Sequence, residues 1–390
     1  MKRQLKFSVF LLCLMVFSMA ILTGCGKDKQ EAVENSPLPG QAPVEKPAPA
    51  ETQAPAETPA PMESPTETAK PEPMGITAGS REELKNAMAG AIEGLCPRLT
   101  AEISGDWLEQ PEMDVQNLYN EIAAATPELK YVYDLEISVN GSQLVCTFHY
   151  MPYKTGDFPE GFAGQEVSSI PELIAAAEEN MGQEAVPVRI TNPALEPDAM
   201  NRALQQAGGG YLLCMLNADA TAIQYSAPYN LSMEDCLTAL AEADQLADQV
   251  IAQVITGGMS QWEKAEALYA YVTSTVSYDQ RYYSDRNSMP YESQTALGAL
   301  RDGVAICGGY AHAVKLLFEK AGIPCFNVTG KYFGENHMWN IALLDGQWLW
   351  FDATADRGST GEFGFLHFGL TELDSTKYSW DQEQVQWLID

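Results

Sequence analysis

The sequence is poor in positive charge. It holds 23 Lys and Arg against 53 Asp and Glu, a formal net charge of −30 at pH 7. A surface this acidic repels phosphate backbones and anionic headgroups, which argues against nucleic acid as a partner. Metal-site motifs are missing as well: no CxxC and no HExxH occurs, so no metal and no cofactor is expected. The eight cysteines are irregularly spaced in a long chain, which excludes a small disulfide scaffold. The apolar run from Phe7 to Ile21 is too short to read as an ordinary membrane span.

That run has another reading. Lys2, Arg3 and Lys6 precede it, giving the charged and apolar regions of an export signal. It ends in LTGC at 22–25, which resembles the bacterial lipobox. The resemblance implies that residues 1–24 are a lipoprotein signal peptide and that Cys25 is lipidated. Two or three acyl chains on one cysteine would anchor the protein firmly to the outer face of the cell membrane. Eleven of the 23 prolines then fall between 31 and 75, among Glu, Ala and Thr. Such a segment cannot bury a core, so 25–75 is expected to be a semi-extended, disordered tether.

Folding is expected to resume at Ser80, where Ser80 and Glu83 make a capping box for a helix reaching about Leu95. A helix over 113–125, strands over 131–139 and 144–150 about an Asn140-Gly141 turn, helices over 170–182 and 197–207, and a strand over 211–216 follow. Residues 76–231 thus read as a small α/β domain of unknown role. His149, on a strand among aromatic residues, is read as structural. From Ser232 the pattern changes. Long helices are expected from Ser232 to Ile255 and from Ser260 to Thr275, then a helix from Cys307 to Ala321 closed by Gly322. Strands are expected over 324–331, 337–344 and 347–353, so 232–390 is the second domain.

The second domain carries the chemistry. Cys307 opens a helix, where unpaired N–H groups and the positive dipole end favour a thiolate. Position alone leaves three readings: a reactive thiol, a small buried cysteine, or a disulfide with Cys325. Asp345-Gly346 between apolar runs predicts a two-residue hairpin. That register sets Leu344 opposite Gln347 and Trp339 opposite Asp352, so His337 and Asp352 are diagonal neighbours on one face. The rest of that face is apolar, which favours pairing an imidazole with a carboxylate over leaving either alone. Either a structural pair or part of a catalytic site satisfies this. Together the three residues suit nucleophilic catalysis: Cys307 attacks a carbonyl, His337 moves the proton, Asp352 orients the imidazole, and the Cys307 N–H is an oxyanion donor. His312 lies about 140° round the helix from Cys307 and points elsewhere. His367 has no assignable place.

The segments GVAICGGYA at 303–311, AGIP at 321–324, VTG at 328–330, HMWN at 337–340 and DGQWLWFDAT at 345–354 resemble the transglutaminase-like superfamily. The resemblance implies an α+β, papain-like core in which a helix carrying Cys307 packs on an antiparallel sheet, with Cys307, His337 and Asp352 as the triad. Met338 stands where the family usually has a small residue, and the calcium sites of animal transglutaminases have no counterpart. Tyr278-Asp279 is similar to an upstream Tyr-Asp element of many relatives. Tyr278 is accordingly a candidate for lining the oxyanion hole or gating the cleft, or else a core tyrosine. The expected activity is hydrolysis of peptide or isopeptide amides through a Cys307 thioester, the expected partner a protein or peptide substrate. A cross-linking transglutaminase and a non-catalytic binding module are the rival readings.

Overall fold

The computed structural model describes residues 72–228 and 230–389. The expected signal peptide 1–24, the Cys25 lipidation site and most of the tether lie outside these residues. None of the described helices is long and apolar enough to cross a membrane. The first strand starts at Met74, inside the stretch expected to be tether.

The chain divides into two compact units. One comprises residues up to Gln116 together with Asp134–Phe148; the other comprises Asn117–Tyr133 and His149–Asp390. The first is built on a four-stranded sheet of order β1-β2-β4-β3, from β1 (Met74–Ala78), β2 (Arg98–Ile103), β3 (Val132–Asn140) and β4 (Gln143–Tyr150). Helix α1 (Arg81–Glu93) starts where Ser80 accepts the N–H of Glu83. The Glu83 carboxylate reaches the N–H of Gly79 rather than that of Ser80, so the expected reciprocal cap is shifted by one residue. Leu84, Met88, Ala91 and Ile92 repeat at helical spacing and are fully buried.

The second unit has one continuous apolar core running from Tyr153 to Leu388. It takes in the segment 149–231 as well as the segment that begins at Ser232. The earlier part contributes a sheet of order β5-β6-β8-β7, with β5 (Gln165–Val167), β6 (Ala185–Ile190), β7 (Leu213–Leu216) and β8 (Ala222–Ser226), and helices α3 (Ile170–Glu179) and α4 (Pro197–Leu204); α2 is Pro111–Ala125. Three of these strands lay outside the sequence expectation: β5 has three residues, β6 carries Pro187, and β8 is short. None offers a long alternating run.

The later part holds α5 (Met233–Val254), α6 (Gln261–Thr275) and α7 (Cys307–Lys320). Both halves of the Ser260–Glu263 capping box form on α6. The sheet has order β13-β12-β11-β14, from β11 (Cys325–Tyr332), β12 (Glu335–Leu344), β13 (Gln347–Phe351) and β14 (Tyr378–Trp380). Asp345 and Gly346 both have positive φ, 48° and 81°, as a tight two-residue hairpin requires. Leu344 pairs with Gln347 and Asn340 with Phe351, the predicted register. Helix α7 packs on this sheet through Phe318 against Phe351, ring centroids 5.3 Å apart. A buried polar chain also joins them. Asn340 Nδ2 donates to the Ala311 carbonyl at 3.0 Å and to Asn327 Oδ1 at 2.9 Å, and Asn327 Nδ2 meets His312 Nδ1 at 3.1 Å.

Candidate active site

Cys307 is the first residue of α7, and Ile306 before it provides no side-chain cap. The first N–H groups of the helix are therefore left to face whatever sits at its end. What brings the chain to this point is backbone pairing. β9 (Ser277–Tyr278) pairs in parallel with β10 (Val304–Ala305), and Ile306 N–H donates to the Ser293 carbonyl at 2.7 Å. Asp279 locks this junction. It is buried, its carboxylate accepts from Arg281 at 2.8 and 2.9 Å and from Ser293 Oγ at 2.6 Å, and the Arg281 contacts hold its pKa down at about 2. The two glycines after Cys307 allow the approach. A Cβ on Gly309 would lie 2.7 Å from both the Ala305 Cβ and the Ser293 carbonyl oxygen, and one on Gly308 would lie 3.1 Å from the Gln294 carbonyl oxygen.

His337 stands on β12 and Asp352 directly follows β13. Continuing the ladder one pair beyond Asn340–Phe351 sets Trp339 opposite Asp352, and His337 is diagonal to it on the same face. His337 Nε2 donates to Asp352 Oδ2 at 2.8 Å, with the two side chains 9% and 1% exposed. The remaining ring nitrogen, Nδ1, is left for Cys307, whose charge bears on the imidazole. Burial pushes the imidazolium pKa down; the hydrogen bond to Asp352 and the charges of Asp352 and Cys307 outweigh it and raise it to about 9. For Asp352, burial raises the pKa, but His337, Tyr378 and the Ala355 N–H together bring it below the ordinary carboxylate value.

Tyr378 was not legible in the sequence. Its hydroxyl donates to Asp352 Oδ2 at 2.7 Å from β14. β14 reaches the site because Gly330 on β11 lets it: a Cβ there would lie 2.2 Å from the Ser379 carbonyl oxygen and 2.7 Å from the Trp339 ring. The only available signal was a glycine inside a strand, which often marks close backbone approach. Tyr332 completes an aromatic rim, 5.3 Å from the His337 ring and 4.5 Å from that of Tyr378.

His367, which the sequence did not place, lies beside the site. Its Nδ1 pairs with Asp356 Oδ1 at 3.0 Å, and its carbonyl accepts the Asp352 N–H at 2.9 Å. It thus supports the backbone of Asp352 and does not take the place of His337. His312 is buried against Asn327, and desolvation lowers its pKa to about 4. Tyr278 is on β9, and its pKa is raised first by burial and then by the charge of Cys307, which places its ring in the thiol's field. Its ring stacks on that of Tyr283, centroids 5.8 Å apart. Cys307 and Cys325 are both free thiols, so the disulfide alternative is not formed, and burial pushes the Cys325 thiol well up. The charge of Cys307 bears on the His337 imidazole. A thiolate so placed can attack a carbonyl carbon while the helix N-terminus faces the developing oxyanion.

Known proteins resemble parts of this chain. Residues 248–353 match the sequence profile of the transglutaminase-like superfamily. A search of curated proteins gives no match. Among solved structures, the chain is similar to a crystal structure of a TGase, at 16% identity over 78% of this chain and 63% of that one, with a TM-score of 0.28. It is also similar to a candidate cysteine protease from Cytophaga hutchinsonii, at 19% identity over 38% of this chain and 55% of that one, TM-score 0.24. A candidate protease from Parabacteroides distasonis matches at 9% identity over 55% and 35%, TM-score 0.22. In each case this chain spans less than two thirds of the solved chain's length.

Proposed function

With a transglutaminase-like core at 248–353 as the premise, we propose that the protein is a cysteine-dependent hydrolase of peptide or isopeptide amide bonds. The observation that carries this reading is the Asp352–His337 pair at 2.8 Å with His337 turned to Cys307 at a helix N-terminus. A pKa of about 9 on His337 favours imidazolium at neutral pH, and an imidazolium stabilises a thiolate beside it. The thiolate adds to the amide carbonyl carbon, and the N–H groups at the start of α7 donate hydrogen bonds to the oxyanion. His337 then gives its Nδ1 proton to the leaving amine, and the C–N bond breaks to leave a thioester on Cys307. Water, deprotonated by the now neutral His337, resolves the thioester to a carboxylic acid and returns the thiolate and imidazolium.

Export and lipidation at Cys25, read from the sequence, would set this activity on the outer face of the membrane. Cys25→Ala should then release the protein from the membrane fraction; retention there would sink that part of the proposal. The central test offers the protein a glutamine-containing donor peptide with a labelled primary amine. Hydrolysis exceeding label incorporation supports the hydrolase, whereas dominant incorporation makes the protein a transglutaminase. Absence of any Cys307-dependent turnover, together with a thiol no more reactive toward iodoacetamide than a free cysteine, would leave a binding module.

A further inference from the structure

Close to Cys307, where Tyr278 pairs with Ala305, the chain carries tyrosines with arginines laid over them. Tyr278 and Tyr283 stack at 5.8 Å, and Tyr282 meets Tyr283 edge-on at 5.1 Å. The charge of Cys307 reaches the hydroxyls of both Tyr278 and Tyr282. Arg286 lies over Tyr282, with Cζ 4.0 Å from the ring centroid, and its Nε donates to the Tyr282 carbonyl at 2.9 Å. Arg357 lies over Tyr278 at 5.5 Å, and one of its terminal nitrogens donates to the Thr354 carbonyl at 2.9 Å. Arg357 also bears electrostatically on Tyr310, in the first turn of α7, and on Tyr332, which rests against His337.

Each guanidinium therefore spends one N–H on a carbonyl, rests a face on a ring, and leaves its other donors to solvent. Neither is held by a carboxylate among the described residues. Several other cations are held by carboxylates: Arg281, Arg301, Lys315 and Lys320 each meet one at 2.9 Å or less, whereas Arg189 shares the ring-and-carbonyl arrangement over Phe158 and Phe162. What sets Arg286 and Arg357 apart is their place: they cover Tyr282 and Tyr278, and Tyr278 pairs with Ala305, two residues before Cys307. Glu335 is near enough to influence Tyr282, and Asp285 precedes Arg286, but neither pairs with the two arginines.

Building on the hydrolase reading, we propose that Arg286 and Arg357 receive carboxylates of the substrate, which is an acidic peptide carrying Asp, Glu or a free carboxylate close to the scissile amide. A guanidinium offers paired donors that match a carboxylate, and its stacking on tyrosine fixes the fork before binding. The protein's net negative charge repels such a peptide at a distance, but screening confines that repulsion to about 8 Å at physiological salt. The arginines act at contact.

The test uses the full chain and a fluorogenic peptide library paired at single positions as Glu or Gln. Glu-containing members are expected to show about tenfold higher kcat/KM, with the preference collapsing toward unity in Arg286→Gln/Arg357→Gln. Arg286→Lys/Arg357→Lys, which keeps the charge, should retain a preference. Equal turnover of Glu and Gln partners, or a ratio unaltered in the Gln double variant, overturns the proposal. If no library member is cleaved, the hydrolase reading fails on its own. Anisotropy of a labelled Glu-rich decapeptide and its Gln counterpart on Cys307→Ala then decides the arginine proposal: tighter Glu binding, lost in the Gln double variant, supports it, and equal binding refutes it.

Discussion

At the scale of single residues, the site is defined by how Asp352 is held. It accepts from His337, Tyr378 and the Ala355 N–H, all inside the fold. Removing the Tyr378 hydroxyl leaves the carboxylate short of a donor. Tyr378→Phe is expected to cost about 1.5–3 kcal/mol, the range for a hydrogen bond to a charged group, read by urea denaturation. It should also raise the Asp352 pKa toward its ordinary value, moving the acid limb of the kcat/KM profile to higher pH. An unmoved acid limb would mean that Tyr378 is packing only. On the alkaline side, His337 loses its proton near pH 9 and with it the ability to protonate a leaving amine. Single-turnover acylation should fall through that region, while a His337-independent fall at much lower pH would contradict the assignment. Since the His337 pKa is raised above its unfolded value, its contribution to stability is full below about pH 6.5 and fades as pH rises through about 9.

At the scale of elements, two features were readable from the sequence and two were not. The Asp345-Gly346 turn fixed the strand register because a two-residue hairpin admits one pairing, and period-two alternation then put His337 and Asp352 on one face. The helix start at Cys307 was readable because Cys-Gly-Gly precedes an amphipathic run ending at Gly322. The contact of β14 with Gly330 was hidden because a three-residue strand leaves no periodic signal, and its partner is distant in sequence. So was the Asn340–Asn327–His312 chain, since asparagines read as turn formers until tertiary packing buries them. The arrangement before α7 predicts the effect of a methyl group. Gly309→Ala would press on Ala305 and on the Ser293 carbonyl, which belong to backbone that cannot swing aside. A loss of about 1–3 kcal/mol is expected, with slower Cys307 alkylation by iodoacetamide. Wild-type stability and alkylation would show that the helix start is softer than its packing implies.

At the scale of the whole molecule, acid behaviour is expected to depend on a histidine outside the triad, five residues after Cys307 on α7. His312 is buried and neutral, its pKa lowered to about 4 by desolvation and by Lys315. A lowered histidine pKa means that the unfolded chain binds the extra proton first. Its stabilisation is present above about pH 6.5 and is lost as pH falls toward 4. The loss amounts to about 3 kcal/mol from the 1.36 kcal/mol carried by each pKa unit. His312→Gln has no such proton to take up, so its unfolding free energy should fall less than that of the parent between pH 6.5 and 4. Parallel curves would place the acid sensitivity elsewhere.

The position of Tyr378 also bears on the order in which the site is built. A chain that emerges from its N-terminus presents Cys307, then His337 and Asp352, and only later the strand that slots against Gly330. Until then Asp352 lacks one of its donors, so the nucleophile is present before it is fully tuned. An incomplete chain thus holds the Cys307 thiol and the His337–Asp352 pair without the Tyr378 donor, and the last strand to dock completes the setting.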